Sequence, residues 1–143
     1  MSELMYLRRK VMRKVVLYII ILLSTSSSCS DRALELSGDY FLRMEGKGTN
    51  DVLSHQASGT EIPSNVLSLA YNSEFILAKQ RPNGTDDPLY KKHIYKHGRN
   101  STYYWLIVHR DKLVFGPMSE KEFISARIKY KVPNSLILKS IYD

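Results

Sequence analysis

The chain has 143 residues, 21 basic and 14 acidic side chains for a formal net charge of +7, and a single cysteine, Cys29. One ordinary domain accounts for that length, and a lone cysteine excludes an internal disulfide. The positive charge is no argument for a nucleic-acid partner: five basic residues and one acid fall within residues 1–28, and the remainder carries +3, from 16 basic against 13 acidic side chains.

In chain order, Arg8, Arg9, Lys10, Arg13 and Lys14 precede an unbroken apolar run over residues 15–23, and serines and a threonine follow up to Cys29. Basic, apolar and small-residue regions in that order form a secretory signal. The nine-residue apolar run is short for a spanning helix, which takes about 20. The segment resembles a bacterial lipoprotein signal, in which a diacylated cysteine follows the cleavage site. Ser27 and Ser28 suit the small residues before that cysteine, while Ser26 replaces the usual aliphatic. The resemblance implies a lipid on Cys29. Cleavage among the serines, releasing a secreted domain, is the alternative. The expected organisation is a signal over 1–28, the lipidated cysteine and a polar tether over 29–36, and one extracytoplasmic domain over 37–143.

Gly38 permits a turn into a first strand through Met44, with Tyr40 in the core. Residues 46–51 are turn chemistry, and residues 52–56 a weak strand. Residues 65–71 and 74–80 read as two strands joined at Asn72-Ser73, and residues 82–88 as a loop with several chain breakers. Tyr103-Tyr104-Trp105-Leu106-Ile107-Val108 is aromatic and β-branched, which suits a strand. Alternation places Tyr104, Leu106 and Val108 on one face and Tyr103, Trp105, Ile107 and His109 on the other. Arg110-Asp111-Lys112 has hairpin spacing before Leu113-Val114-Phe115, and Gly116-Pro117 is expected to end that strand because proline has no donor for the ladder. Ser119 and Glu122 fit a capping box. Phe123, Ile124, Arg127 and Ile128 recur at helical spacing, Val132-Pro133 stops the helix, and residues 136–138 fit a short closing strand. The fold class is therefore α+β: an antiparallel β-meander of about five to seven strands with one main C-terminal amphipathic helix.

The succession SGDY, VLSLAYNSEFILAKQ, YYWLI, GPMSEKEF and LIL resembles a family of small bacterial lipoproteins known as a domain of unknown function. The resemblance spans most of residues 37–138. It implies an envelope location and one domain, and assigns no catalytic residue. The join at GPMSEKEF also resembles that of small GYF-like peptide-binding modules, over about a dozen residues. A hairpin feeding any capped helix gives the same join.

Tyr90, Lys91, Lys92, His93, Tyr95, Lys96, His97 and Arg99 form the most basic local run, with tyrosines interleaved. Clustered Lys and Arg contribute about 1 kcal/mol each near an anionic surface, so the run is a candidate surface for an envelope protein or an anionic envelope polymer. The competing reading is a solvated edge strand protected by lysines. His93 and His97 share a face on a helix or a strand, but zinc needs more than two ligands and the adjacent lysines oppose a cation, so no metal or other cofactor is expected. His109-Arg110-Asp111 spells the start of a kinase catalytic loop without the other kinase motifs, and is read as a hairpin turn. Ser37-Gly38-Asp39-Tyr40 resembles the signature of small lysozyme-inhibitor lipoproteins with one residue too few, and is read as the start of a strand. Asn83-Gly84-Thr85 and Asn100-Ser101-Thr102 match the glycosylation triplet by pattern only. The expectation is a non-enzymatic, membrane-tethered binding or accessory domain. The alternative is an inhibitor or regulator of an envelope enzyme, with loop 82–89 as the inserting element. The sequence leaves the oligomeric state open.

Overall fold

Two small sheets and one helix stack in three layers in the computed structural model, which describes residues 32–46, 48–56, 61–83 and 88–143. Strands β1 (Arg32–Glu35), β2 (Tyr40–Met44) and β3 (Asn50–Ser54) form the first sheet in sequential antiparallel order. Strands β4 (Val66–Tyr71), β5 (Phe75–Gln80), β6 (Tyr103–Val108) and β7 (Leu113–Met118) form a meander closed by β8 (Lys139–Ser140), in the order β7-β6-β5-β4-β8. The single α-helix among the described residues is α1 (Glu120–Lys129).

The larger sheet is apolar on both faces because both are covered. Leu69, Ile76, Ala78, Trp105 and Ile107 pack against Tyr40, Leu42 and Val52 of the small sheet. Ala70, Phe75, Leu77, Leu106 and Val108 pack against Phe123 of α1 and Val132 beyond it. The alternation read along residues 103–109 therefore assigns the two faces of β6 correctly. Burying each large side chain contributes about 1.5–3 kcal/mol.

The α+β class holds, with four differences in detail. Eight strands are present among the described residues, because Arg32–Glu35, expected in the tether, pairs with β2. Second, β7 runs through Gly116-Pro117 instead of ending there. It is an edge strand, where a missing donor is tolerated, and between the pairs Leu106↔Phe115 and Tyr104↔Met118 two β7 residues oppose Trp105 alone. This is a bulge. Gly116 is required in it: its φ is +146°, and a Cβ there would fall 2.3 Å from Cε3 of Trp105.

Third, the buried face of α1 is rotated from the expected one. The capping box forms, with the Ser119 hydroxyl accepting the Glu122 N–H and the Glu122 carboxylate accepting the Ser119 N–H. Phe123 then stacks on Tyr104 with ring centroids 5.0 Å apart, and Tyr130 tilts on Phe115 at 4.8 Å. Positions 123, 126 and 130 thus face the sheet, and Ile124 and Ile128 are 53% and 74% exposed. Fourth, the closing strand lies at Lys139–Ser140, after residues 136–138. Leu136 and Leu138 instead pack on the core beneath α1, and the short strand pairs with Ser68 and Leu69.

Candidate functional site

The basic, tyrosine-rich segment does not form a strand. Pro88–Lys92 is a 3-10 turn, and turns continue to β6. The segment turns its rings inward over the end of the larger sheet. Tyr90 is 2% exposed, Tyr95 packs edge-on against Tyr90 and Tyr103, and His93 lies edge-on to Trp105 at 4.9 Å. Beneath them the fully buried Gln80 amide donates to the Pro63 carbonyl at 2.8 Å and the Ser64 carbonyl at 3.1 Å, and its oxygen accepts the Trp105 indole N–H at 2.7 Å. The Tyr90 hydroxyl accepts the Asn83 N–H and donates to the Ser64 carbonyl. Tyr103 accepts the His97 N–H and donates to the Gly98 carbonyl. Burial pushes the Tyr95 hydroxyl above the ordinary tyrosine range and His93 below the ordinary histidine range.

The proposed interaction surface therefore divides. Tyr90, His93 and Tyr95 belong to the cap of the sheet. Of the charged residues, Lys92 lies 3.8 Å from Glu61, Lys96 3.2 Å from Glu122, and Arg99 stacks over the Tyr90 ring at 5.0 Å; Lys91 and His97 are exposed. No three His, Cys, Asp or Glu side chains cluster as metal ligands among the described residues. In loop 82–89, Pro82 is buried and Asn83 donates to the Gly48 carbonyl at 2.7 Å; residues 84–87 lie outside the described residues, as does Cys29.

A second constellation joins two motifs that are 72 positions apart. The Ser37 hydroxyl and His109 Nε2 are 2.7 Å apart, and the His109 ring also meets Tyr40. His109 and Tyr40, with Gly38, Asp39, Ser54, Gln56 and Lys112, line a cleft of about 200 Å³ beside this contact. A serine–histidine contact is the first requirement of an activated nucleophile, and a carboxylate on the far ring nitrogen is the usual second. Here Gly38 covers that nitrogen so closely that a Cβ would lie 2.6 Å from Nδ1. The nearby Asp39 carboxylate accepts the Gln56 amide at 2.7 Å. Burial lowers the proton affinity of His109, and Asp39 opposes this in part. The contact ties the β1–β2 turn to the β6–β7 turn. Nothing in Ser37-Gly38-Asp39-Tyr40 or in His109-Arg110-Asp111 signals it in the sequence.

The third feature is an apolar trough of about 470 Å³ between the open side of the small sheet and the β4–β8 edge. Leu42 and Leu69 form its floor, and Leu34, Tyr71, Ile137 and Ile141 its walls. Leu34, Tyr71 and Ile137 are 42%, 41% and 65% exposed. The sequence does not reveal it, because Leu34 reads as part of a polar tether and Ile137 as part of a closing strand. No helix among the described residues is long and apolar enough to cross a membrane.

Two stacked antiparallel sheets with one capped helix, an internal polar junction and an open apolar trough define a small α+β domain. The chain belongs to the family described as "Protein of unknown function (DUF3997)", whose model matches residues 37–142. Neither the curated proteins nor the solved structures give a match.

Proposed function

We propose that this protein is a cell-envelope lipoprotein, held on the extracytoplasmic side of a membrane by a lipid on Cys29, and that its domain serves a non-catalytic binding or accessory role there. The observation that carries the proposal is the order at the N-terminus: five basic residues, nine apolar residues, a run of small hydroxyl residues and the sole cysteine of the chain. A lipid also accounts for that cysteine, which would otherwise be a reactive thiol in an oxidising compartment. The apolar trough favours binding, and at the Ser37–His109 contact Gly38 lies over the ring nitrogen that an orienting carboxylate would take.

The test is the intact mass of detergent-extracted protein, wild type beside Cys29→Ala. The proposal expects a mature chain that begins at Cys29 with added acyl mass, absent from the variant. A bare chain beginning among the serines would make it a secreted domain, and an uncleaved chain a signal-anchored one; either result overturns the lipid anchor.

A further inference from the structure

We infer that the domain lies against the membrane through its apolar trough, with Leu34, Tyr71 and Ile137 at the boundary between headgroups and acyl chains and with Arg32 and Lys139 against anionic headgroups. The inference rests on the reading of Cys29 as the lipidated residue and adds to it a defined face and orientation.

Covalent reach is the first argument. Three peptide units separate Cys29 from Arg32, where β1 begins, and they span at most about 11 Å even when fully extended. A lipid on Cys29 therefore holds the start of β1 within about 11 Å of the lipidated residue, up to about two headgroup-layer thicknesses. Leu34 follows two residues later and lies on the trough side of the strand. Its register partner is Leu42, and that of Arg32 is Met44, and both partners line the trough. The strand nearest the anchor thus carries exposed apolar surface on its trough side.

Composition is the second argument. An interfacial surface combines a shallow apolar stripe with basic residues at its margin. Leu34, Tyr71 and Ile137 supply the stripe, with tyrosine suited to the headgroup level. Lys139 lines the trough and Arg32 shares the face of Leu34; both are exposed. Asp143 is the one acid in the lining. Glu35 alternates to the other side of β1 and pairs with His55 at 3.0 Å. On the opposite layer α1 exposes Ile124 and Ile128 together with Glu120 and Lys121, so a label at position 121 reports the competing apolar face.

The test uses the full lipidated protein in vesicles of phosphatidylethanolamine and phosphatidylglycerol, with an environment-sensitive fluorophore on Ile137→Cys and, separately, on Lys121→Cys. Intact mass is measured on the same samples, and far-UV circular dichroism checks the fold. The inference expects blue-shifted emission at position 137 and several-fold stronger quenching there by lipid-borne spin labels than at position 121. Equal quenching at the two positions in acylated protein would overturn the membrane-facing trough and leave the anchor standing. Protein without acyl mass would remove the reach argument and overturn both. A shift at position 137 that follows protein density and is insensitive to the lipid quencher would mean that a second copy covers the trough, which also overturns the inference.

Discussion

Replacing Gln80 with leucine isolates the junction that holds the 88–102 segment on the sheet. The side chain is fully buried at the end of β5, and its amide serves the Pro63 and Ser64 carbonyls, the Tyr95 hydroxyl and the Trp105 indole N–H. In Gln80→Leu the Ser64 carbonyl keeps Tyr90 as a donor, and the half-buried Tyr95 hydroxyl can turn to water. The Trp105 N–H and the Pro63 carbonyl lose their partner in the interior. A stranded buried group costs about 1–3 kcal/mol, and the added apolar contact of leucine offsets about 1 kcal/mol. With two groups stranded, the expected loss is therefore about 1–5 kcal/mol, a large share of the roughly 5–15 kcal/mol of a small domain. It corresponds to a fall in Tm of about 4–20 °C at this size. Trp105 is the only tryptophan and sits within the perturbed network, so urea unfolding followed by its emission reads the change directly. Trp105→Phe on the Gln80→Leu background removes both partners of one bond. The double variant should lose at least about 1 kcal/mol less than the sum of the singles, measured by far-UV circular dichroism. A Gln80→Leu stability within about 0.5 kcal/mol of wild type would refute the argument, because that is the range of an ordinary surface substitution.

Gly116→Ala forces a Cβ to within 2.3 Å and 2.4 Å of Cε3 and Cδ2 of Trp105, at a φ of +146°. It should cost about 2–3 kcal/mol and shift the Trp105 emission of the folded protein; unchanged emission and an unchanged urea midpoint would show that β7 is not held against the indole. Acid should weaken the fold in two stages. His93 and His109 are both held below the ordinary histidine range, chiefly by burial, whereas the unfolded chain protonates them near 6.5. Their neutral forms are thus favoured in the fold: stability is full above about pH 6.5, falls as pH drops through it toward the lowered folded values, and levels off below them. Glu122, held down to about 2 by the backbone N–H and hydroxyl of Ser119 and then by Lys96, has its usual value at 4.5. Its contribution is present above that value and is lost as pH falls toward about 2. Urea midpoints measured from neutral pH downward check both stages, and a flat profile between about pH 7.5 and 5.5 would contradict the burial of the two imidazoles.

The strand pairs β4–β5 and β6–β7 and the capped start of α1 were legible because they depend on neighbours in the chain. Asn72 folds its own turn by accepting the Glu74 and Phe75 N–H groups, and Ser119 and Glu122 satisfy each other. The apolar run at 103–108 likewise signalled a strand, and its burial on both faces follows from the two layers that cover it. Where the sequence misled, the competing forces came from distant residues. Residues 90–97 alternate well enough for a strand, but Tyr90, His93 and Tyr95 gain more by turning their rings onto Trp105, Tyr103 and the Gln80 network. Ile124 and Ile128 have helical spacing, but the stacking of Phe123 on Tyr104 and Tyr130 on Phe115 sets the rotation of α1.

The candidate sites divide in the same way. The signal-like N-terminus and its cysteine can be read from order and composition, because targeting acts on the linear chain. The Ser37–His109 contact and the trough between β1, β4 and β8 exist only once segments up to about a hundred residues apart are brought together. The sequence by itself determined the α+β class, the central hairpins and the helix cap, since local hydrogen bonding and alternation suffice for these. Only the tertiary structure decided which polar groups are buried together, which helix face is hidden and where apolar surface remains open, because each depends on partners supplied by other parts of the fold.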